Sequence, residues 1–142
     1  MTPRVRAVLD AVGMVCSDLD RTVAFYRALG CDVPDRDGTG HLEVDLGGVR
    51  LMFDTEAVVA SFAPDTWTGS GGGRLGLAAR CGTPEDVDAL HDLLVPLGQG
   101  SHLAPFDAFW GQRYASVLDP DGTSVDLYAT LPGAPVLQVP PD

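Results

Sequence analysis

Polar and apolar positions along this chain fall into strand-like and helix-like stretches whose order occurs twice. Arg6 to Cys16 reads as a strand. Ser17-Asp18 then breaks the run, and Leu19, Val23, Tyr26 and Leu29 recur at helical spacing until Gly30 supplies a stop signal. His41-Leu42-Glu43-Val44-Asp45-Leu46 alternates polar with apolar, Gly47-Gly48 forms a tight turn, and Val49 to Phe53 alternates again as a hairpin does. The first half therefore predicts the order βαβββ.

The segment Gly69-Ser70-Gly71-Gly72-Gly73 has almost no side chain to pack and reads as a joint. Beyond it, Leu75 to Cys81 reads as a buried strand, and Thr83-Pro84-Glu85-Asp86 combines an N-cap residue with proline at the first helical position. The helix runs through Val87, Leu90 and Leu94 to a stop near Pro96 and Gly98. Gln112 to Leu118 reads as a strand, Asp119-Pro120-Asp121-Gly122 as a turn, and Thr123 to Tyr128 as the returning strand. The expectation is one α+β domain over residues 1–142, with modules at about 6–68 and 74–131 and a proline-rich tail over 132–142. Neither module covers both faces of its own sheet, so two must pair, within the chain or across a dimer, into a cup around a cavity.

Composition narrows the partners. Twenty acidic against nine basic residues give a net charge of -11, which repels phosphate backbones and anionic lipid, so neither nucleic acid nor membrane is expected as a partner. A cationic ligand is favoured by the same charge. No apolar run approaches the roughly 18 residues of a membrane span, and the N-terminus has no signal-peptide pattern, which points to a cytoplasmic protein. Cys16, Cys31 and Cys81 lack metal-knuckle or redox spacing and read as reduced structural thiols.

Two motifs bring in a family. Ser17-Asp18-Leu19-Asp20-Arg21-Thr22, followed by Phe25-Tyr26 and Leu29-Gly30, resembles the first-helix signature of vicinal-oxygen-chelate proteins, the group of glyoxalases, bleomycin-binding proteins and ring-cleaving dioxygenases. Phe109-Trp110-Gly111-Gln112-Arg113-Tyr114, with Asp119-Pro120-Asp121-Gly122 and Val125-Asp126-Leu127-Tyr128, resembles the C-terminal hallmark of that group. The stretch from Arg50 to Thr55, the glycine-rich joint, and His102-Leu103-Ala104-Pro105 leading into Trp110 look most like mitomycin-resistance-type drug-binding proteins.

The resemblance implies a divalent ion held at four positions, which fall here on Ala11, Gly76, Met52 and Asp126. One carboxylate is short of the three or so protein ligands such a site requires, so no metal and no other cofactor is expected. His41, His91 and His102 read as surface or loop residues. Trp110, Phe109, Phe106 and Tyr114 cluster in one segment, with Met52 and Phe53 on a strand of the other half. Of these, Trp110, Phe109, Tyr114, Met52 and Phe53, together with Asp126 and Tyr128, are the candidate ligand-binding residues, suited to stacking a planar small molecule and accepting its hydrogen bonds. Core packing competes as an explanation for Phe25, Tyr26 and Phe109, and a salt bridge to Arg113 for Asp126. Two functions follow. One is a homodimeric protein that sequesters a planar or cationic, antibiotic-like small molecule without catalysis. The other is a metal-dependent lyase, isomerase or dioxygenase whose ligands include Asp126 and either His41 or Glu43.

Overall fold

The computed structural model describes residues 8–62 and 75–133. The first module comprises β1 (Ala11–Cys16), α1 (Leu19–Leu29), β2 (His41–Asp45), β3 (Arg50–Thr55) and α2 (Glu56–Phe62). The second comprises β4 (Gly76–Arg80), α3 (Pro84–Leu94), a 3-10 turn at Val95–Leu97, β5 (Gly100–Asp107), β6 (Gln112–Leu118) and β7 (Ser124–Thr130). The glycine-rich joint, Trp67 and residues 134–142 of the tail lie outside the described residues.

Local chemistry sets the helix ends. The Asp18 carboxylate accepts the Arg21 N–H at 3.1 Å, and the Thr83 hydroxyl accepts the Asp86 N–H at 3.2 Å with Pro84 beside it at the start of α3. Gly30, at φ +113°, takes the left-handed conformation that ends α1, and the Cys31 N–H returns to the Tyr26 carbonyl at 2.9 Å.

The strands form two sheets, ordered β1-β3-β2 and β4-β7-β6-β5. In each, the first strand runs parallel to the last strand of its module and the other pairs are antiparallel. Alternation then sorts the side chains. Leu42, Val44, Leu51 and Phe53 are buried with Leu19, Val23 and Tyr26, while Ala115, Val117, Val125 and Leu127 are buried with Val87 and Leu94 of α3. These belong to one continuous core spanning both modules. Each sheet keeps its other face open. Arg113 clasps the second module from the core side, donating to both oxygens of Asp88 on α3 at 2.8 and 3.0 Å and to Asp107 at 3.1 Å.

Two expectations are corrected, and one helix was not anticipated. The βαβββ order expected of the first module has one strand too many: three form, and none lies between Gly30 and His41. The backbone there is satisfied locally: the Arg27 guanidinium donates to the carbonyls of Val33 and Pro34, the Val33 N–H goes to Cys31, and Pro34 has no N–H for a ladder. The helix α2 went unpredicted. The strand expected to be buried at Leu75–Cys81 is an edge strand bonded only to β7, with Gly76, Ala78 and Arg80 exposed.

The modules meet through α1, α3 and the turn between β6 and β7. Tyr26 is fully buried and donates its hydroxyl hydrogen to Asp119 at 2.8 Å, and the Ser17 N–H donates to Asp121 at 3.1 Å. Asp119, itself buried, also accepts the N–H groups of Asp121 and Thr123. Burial and the neighbouring carboxylate push the Tyr26 hydroxyl far up, so it stays a donor. Cys16, Cys31 and Cys81 are free thiols, and burial pushes Cys16 up to about 11. Among the described residues no helix is long and apolar enough to cross a membrane.

Tyr26→Phe leaves one oxygen of a buried carboxylate without its donor, which costs about 2 kcal/mol. Asp119→Ala, which removes the acceptor of three hydrogen bonds, should cost more. Urea unfolding monitored by circular dichroism measures both, and a Tyr26→Phe loss below about 0.5 kcal/mol would show that the bond does not hold the modules together.

Candidate functional site

The open face of the second sheet carries an aromatic cluster beside a polar ladder. Register pairs Tyr114 with Tyr128 and Ser116 with Asp126, so these four side chains share the face opposite Ala115 and Leu127. The chain turns between β5 and β6 through Phe109 and Trp110. There the Trp110 ring meets Phe109, Tyr114 and Phe106 edge to face, with centroids 5.0, 5.3 and 6.1 Å apart. Phe106 and Tyr114 also meet edge to face at 6.0 Å. Such spacings leave no gap between the rings, so a flat ligand has to lie against the outside of the cluster rather than within it. The Trp110 indole N–H donates to Gln112 at 2.9 Å, which fixes the ring's orientation. Phe109 is 85% exposed and forms the rim.

Below the rings, the Tyr114 hydroxyl donates to one oxygen of Asp126, and Ser124 donates to the other at 3.2 Å. Ser116, fully buried, lies 3.0 Å from the Ser124 hydroxyl. Burial, reinforced by the carboxylate, pushes the Tyr114 hydroxyl up to about 12.

The open face of the first sheet carries alternating charges. His41 stands between Asp54, at 2.6 Å from Nδ1, and Glu43, at 3.2 Å from Nε2. Arg50 donates to Glu43 at 2.8 Å and to Asp10 at 2.5 Å. Met52 lies on this face, where a β-carbon at Gly13 would approach its methyl group to 3.9 Å.

The candidate residues thus separate. Trp110, Phe109, Tyr114, Asp126 and Tyr128 share one region of the second sheet, and Met52 lies on the open face of the first. Phe53 does not: it is fully buried with its ring 5.0 Å from that of Tyr26, because adjacent strand residues point to opposite faces. Phe25 and Tyr26 are core residues as well. Asp126 and Arg113 lie on opposite faces and form no salt bridge. His91 is buried rather than superficial, with Nε2 2.7 Å from the Ser101 hydroxyl, whereas His102 is exposed. Sequence reasoning passed over Ser116, Ser124, Gln112 and Asp54, and named Glu43 only as an alternative metal ligand. Applying the two-residue period of β2, β3, β6 and β7 to their polar positions identifies these residues, whereas Asp10, the partner of Arg50, lies outside those strands.

The four positions at which a divalent ion would be held offer poor donors. Ala11 and Gly76 have no ligating atom, Met52 offers only a thioether, and both Asp126 oxygens already accept hydrogen bonds. Among the described residues no group of three or more His, Cys, Asp or Glu is placed to hold a metal. These residues do not fit the ion.

Two modules of strand, helix and strands, joined through their helices and each leaving one sheet face open, define a paired-module α+β protein built to present those faces. The chain belongs to the Glyoxalase/Bleomycin resistance protein/Dioxygenase superfamily, whose family model matches residues 8–127. Its fold is similar to that of a glyoxalase/bleomycin resistance protein/dioxygenase from Nocardioides, with TM-score 0.68 and 22% identity over 97% of this chain and 93% of that one. It is also similar to a family enzyme from Burkholderia phytofirmans PsJN, with TM-score 0.74 and 20% identity over 88% of this chain and 100% of that one. A bleomycin-binding protein complexed with bleomycin gives TM-score 0.50 and 22% identity over 88% of this chain and 99% of that one. At these identities the likeness is one of fold. No curated protein matches the sequence.

The two carboxylates that accept from His41 raise its pKa above the ordinary value of 6.5. A raised folded-state value means that the stabilisation is complete below the unfolded value and is lost as pH rises through the folded one. An NMR titration of the His41 ring should therefore give a midpoint above 6.5 that falls in Asp54→Asn. The unfolding midpoint should decline through the same window, and decline less in His41→Asn. A wild-type ring titrating at or below 6.5 contradicts the ladder.

Proposed function

We propose that this protein is a homodimeric small-molecule-binding protein that sequesters a planar, cationic or hydrogen-bond-donating compound without a metal ion. The observation that carries this reading is the aromatic cluster of Trp110, Tyr114, Phe106 and Phe109 on an open sheet face beside Asp126. Stacking on such rings binds flat molecules with little entropy cost, and the carboxylate adds attraction for positive charge. The poor donor set at the ion positions favours binding over metal-assisted chemistry.

What one chain leaves open supports the reading of a dimer. Among the described residues the two sheets share no strand pairing, and β1 and β4 are edge strands. Leu103, Phe106 and Phe109 are exposed on the second module. A second copy that set its first sheet against this face would enclose the ligand between the aromatic cluster of one subunit and the charged face of the other. The relative that carries bleomycin supports a drug-like occupant, as does the resemblance to mitomycin-resistance-type proteins. Three free thiols suit the reducing cytoplasm.

Titrating tryptophan fluorescence in chelator-treated buffer, on Trp67→Phe protein, with bleomycin-like and mitomycin-like compounds tests the reading. Saturable quenching is expected without metal, and Trp110→Ala, which removes the fluorescent reporter and is therefore titrated by calorimetry, should weaken binding by more than about 1 kcal/mol, roughly fivefold. Sedimentation should give a dimer. A response that requires an added divalent ion would overturn the reading in favour of a metal-dependent enzyme.

A further inference from the structure

The hydroxyl of Tyr114 has a fixed polarity. An ionised carboxylate only accepts hydrogen bonds, so the bond between Tyr114 and Asp126 commits the single hydroxyl hydrogen of Tyr114 to that contact. Ser124 commits its hydrogen to the other Asp126 oxygen, which leaves Ser116 to donate to Ser124. Donation therefore runs from Ser116 to Ser124 to Asp126, and from Tyr114 to Asp126. At the Tyr114 end only oxygen lone pairs are left, and among the described residues no donor is bonded to them. The same ring packs edge to face against Trp110 and Phe106, so this oxygen lies where the aromatic surface meets the polar ladder.

We infer that Tyr114 is a fixed hydrogen-bond acceptor that selects, among planar ligands, those carrying an N–H or O–H donor on the ring edge and rejects those presenting a carbonyl there. The inference rests on the binding reading above and names the ligand class for the same surface. A ligand lacking the donor strips water from Tyr114 without replacing its hydrogen bond, whereas one with a carbonyl sets two acceptors against each other. Asp126 thus acts as a positioning residue: its role is to hold the Tyr114 hydrogen away from the ligand.

The test compares two flat cations that differ only in one amino group, 9-amino-10-methylacridinium and 10-methylacridinium, titrated against Trp110 fluorescence in Trp67→Phe protein. The amino compound should bind about fivefold to tenfold more tightly, the value of one hydrogen bond. Tyr114→Phe should bring the ratio to about one. Asp126→Asn is the more telling variant because it preserves side-chain shape. Its amide oxygen serves Ser124, its NH₂ donates to Tyr114, and the freed tyrosine hydrogen turns toward the ligand, so the ratio should fall to one or below. Loss of the negative charge weakens both cations alike and cancels in the ratio. A wild-type ratio of one, or a preference that persists in both variants, overturns the inference while leaving ligand binding intact. Absence of saturable quenching by either dye defeats the inference together with the binding reading.

Discussion

The arrangement of this chain depends on one buried contact, the hydrogen bond from Tyr26 on α1 to Asp119 at the turn between β6 and β7. A carboxylate removed from water is costly unless its oxygens are supplied with donors. Asp119 receives three, two from the backbone of its own turn and one from the other module. The third is available only when the modules sit as they do, so it fixes their relative placement as well as stabilising it. Asp121 adds a second tie to the start of α1 through the Ser17 N–H. Because helices and this turn make the junction, the opposite faces of both sheets are left without cover.

Those faces then carry the chemistry by a simple rule of strands. Leu51, Phe53, Val125 and Leu127 turn inward and build the core, while Arg50, Met52, Ser124, Asp126 and Tyr128 on the same two strands turn outward. The two open faces differ. One bears the aromatic cluster and a hydroxyl-supplied carboxylate, and the other bears alternating charges from Asp54 through His41, Glu43 and Arg50 to Asp10. Joined across two copies, as proposed, they would give a cup with one wall for stacking and one for charge.

Much of this was legible in the residues because the signals were local. The Asp18 and Thr83 caps, the Gly30 stop, the Gly47-Gly48 hairpin and the alternation along β2, β3, β6 and β7 each depend on near neighbours. What was missed depended on distant ones. The absent strand after Gly30 reflects Arg27 folding back onto the Val33 carbonyl, which no pattern of apolar residues announces. His91 is buried where Ser101 meets it, and β4 lies exposed at the edge of its sheet, with β7 its one partner among the described residues. Met52 and Phe53 are a different case: the alternation that predicts their strand already places them on opposite faces, so they cannot line one site together.

Asp126 is where the family's architecture and this chain's chemistry diverge. It occupies a position that in the resembling enzymes would serve an ion, yet the matching positions Ala11, Gly76 and Met52 cannot share such a charge. The negative charge is instead compensated by hydroxyl hydrogens from Tyr114 and Ser124. That substitution has a chemical consequence. An ion in such a place draws in lone pairs, and so favours ligands rich in oxygen acceptors. A carboxylate that consumes the nearby hydroxyl hydrogens does the reverse, surrounding itself with acceptors and favouring donors. On the proposed reading, the same fold thereby inverts the polarity of its binding face, and the aromatic cluster beside it would be the main source of affinity.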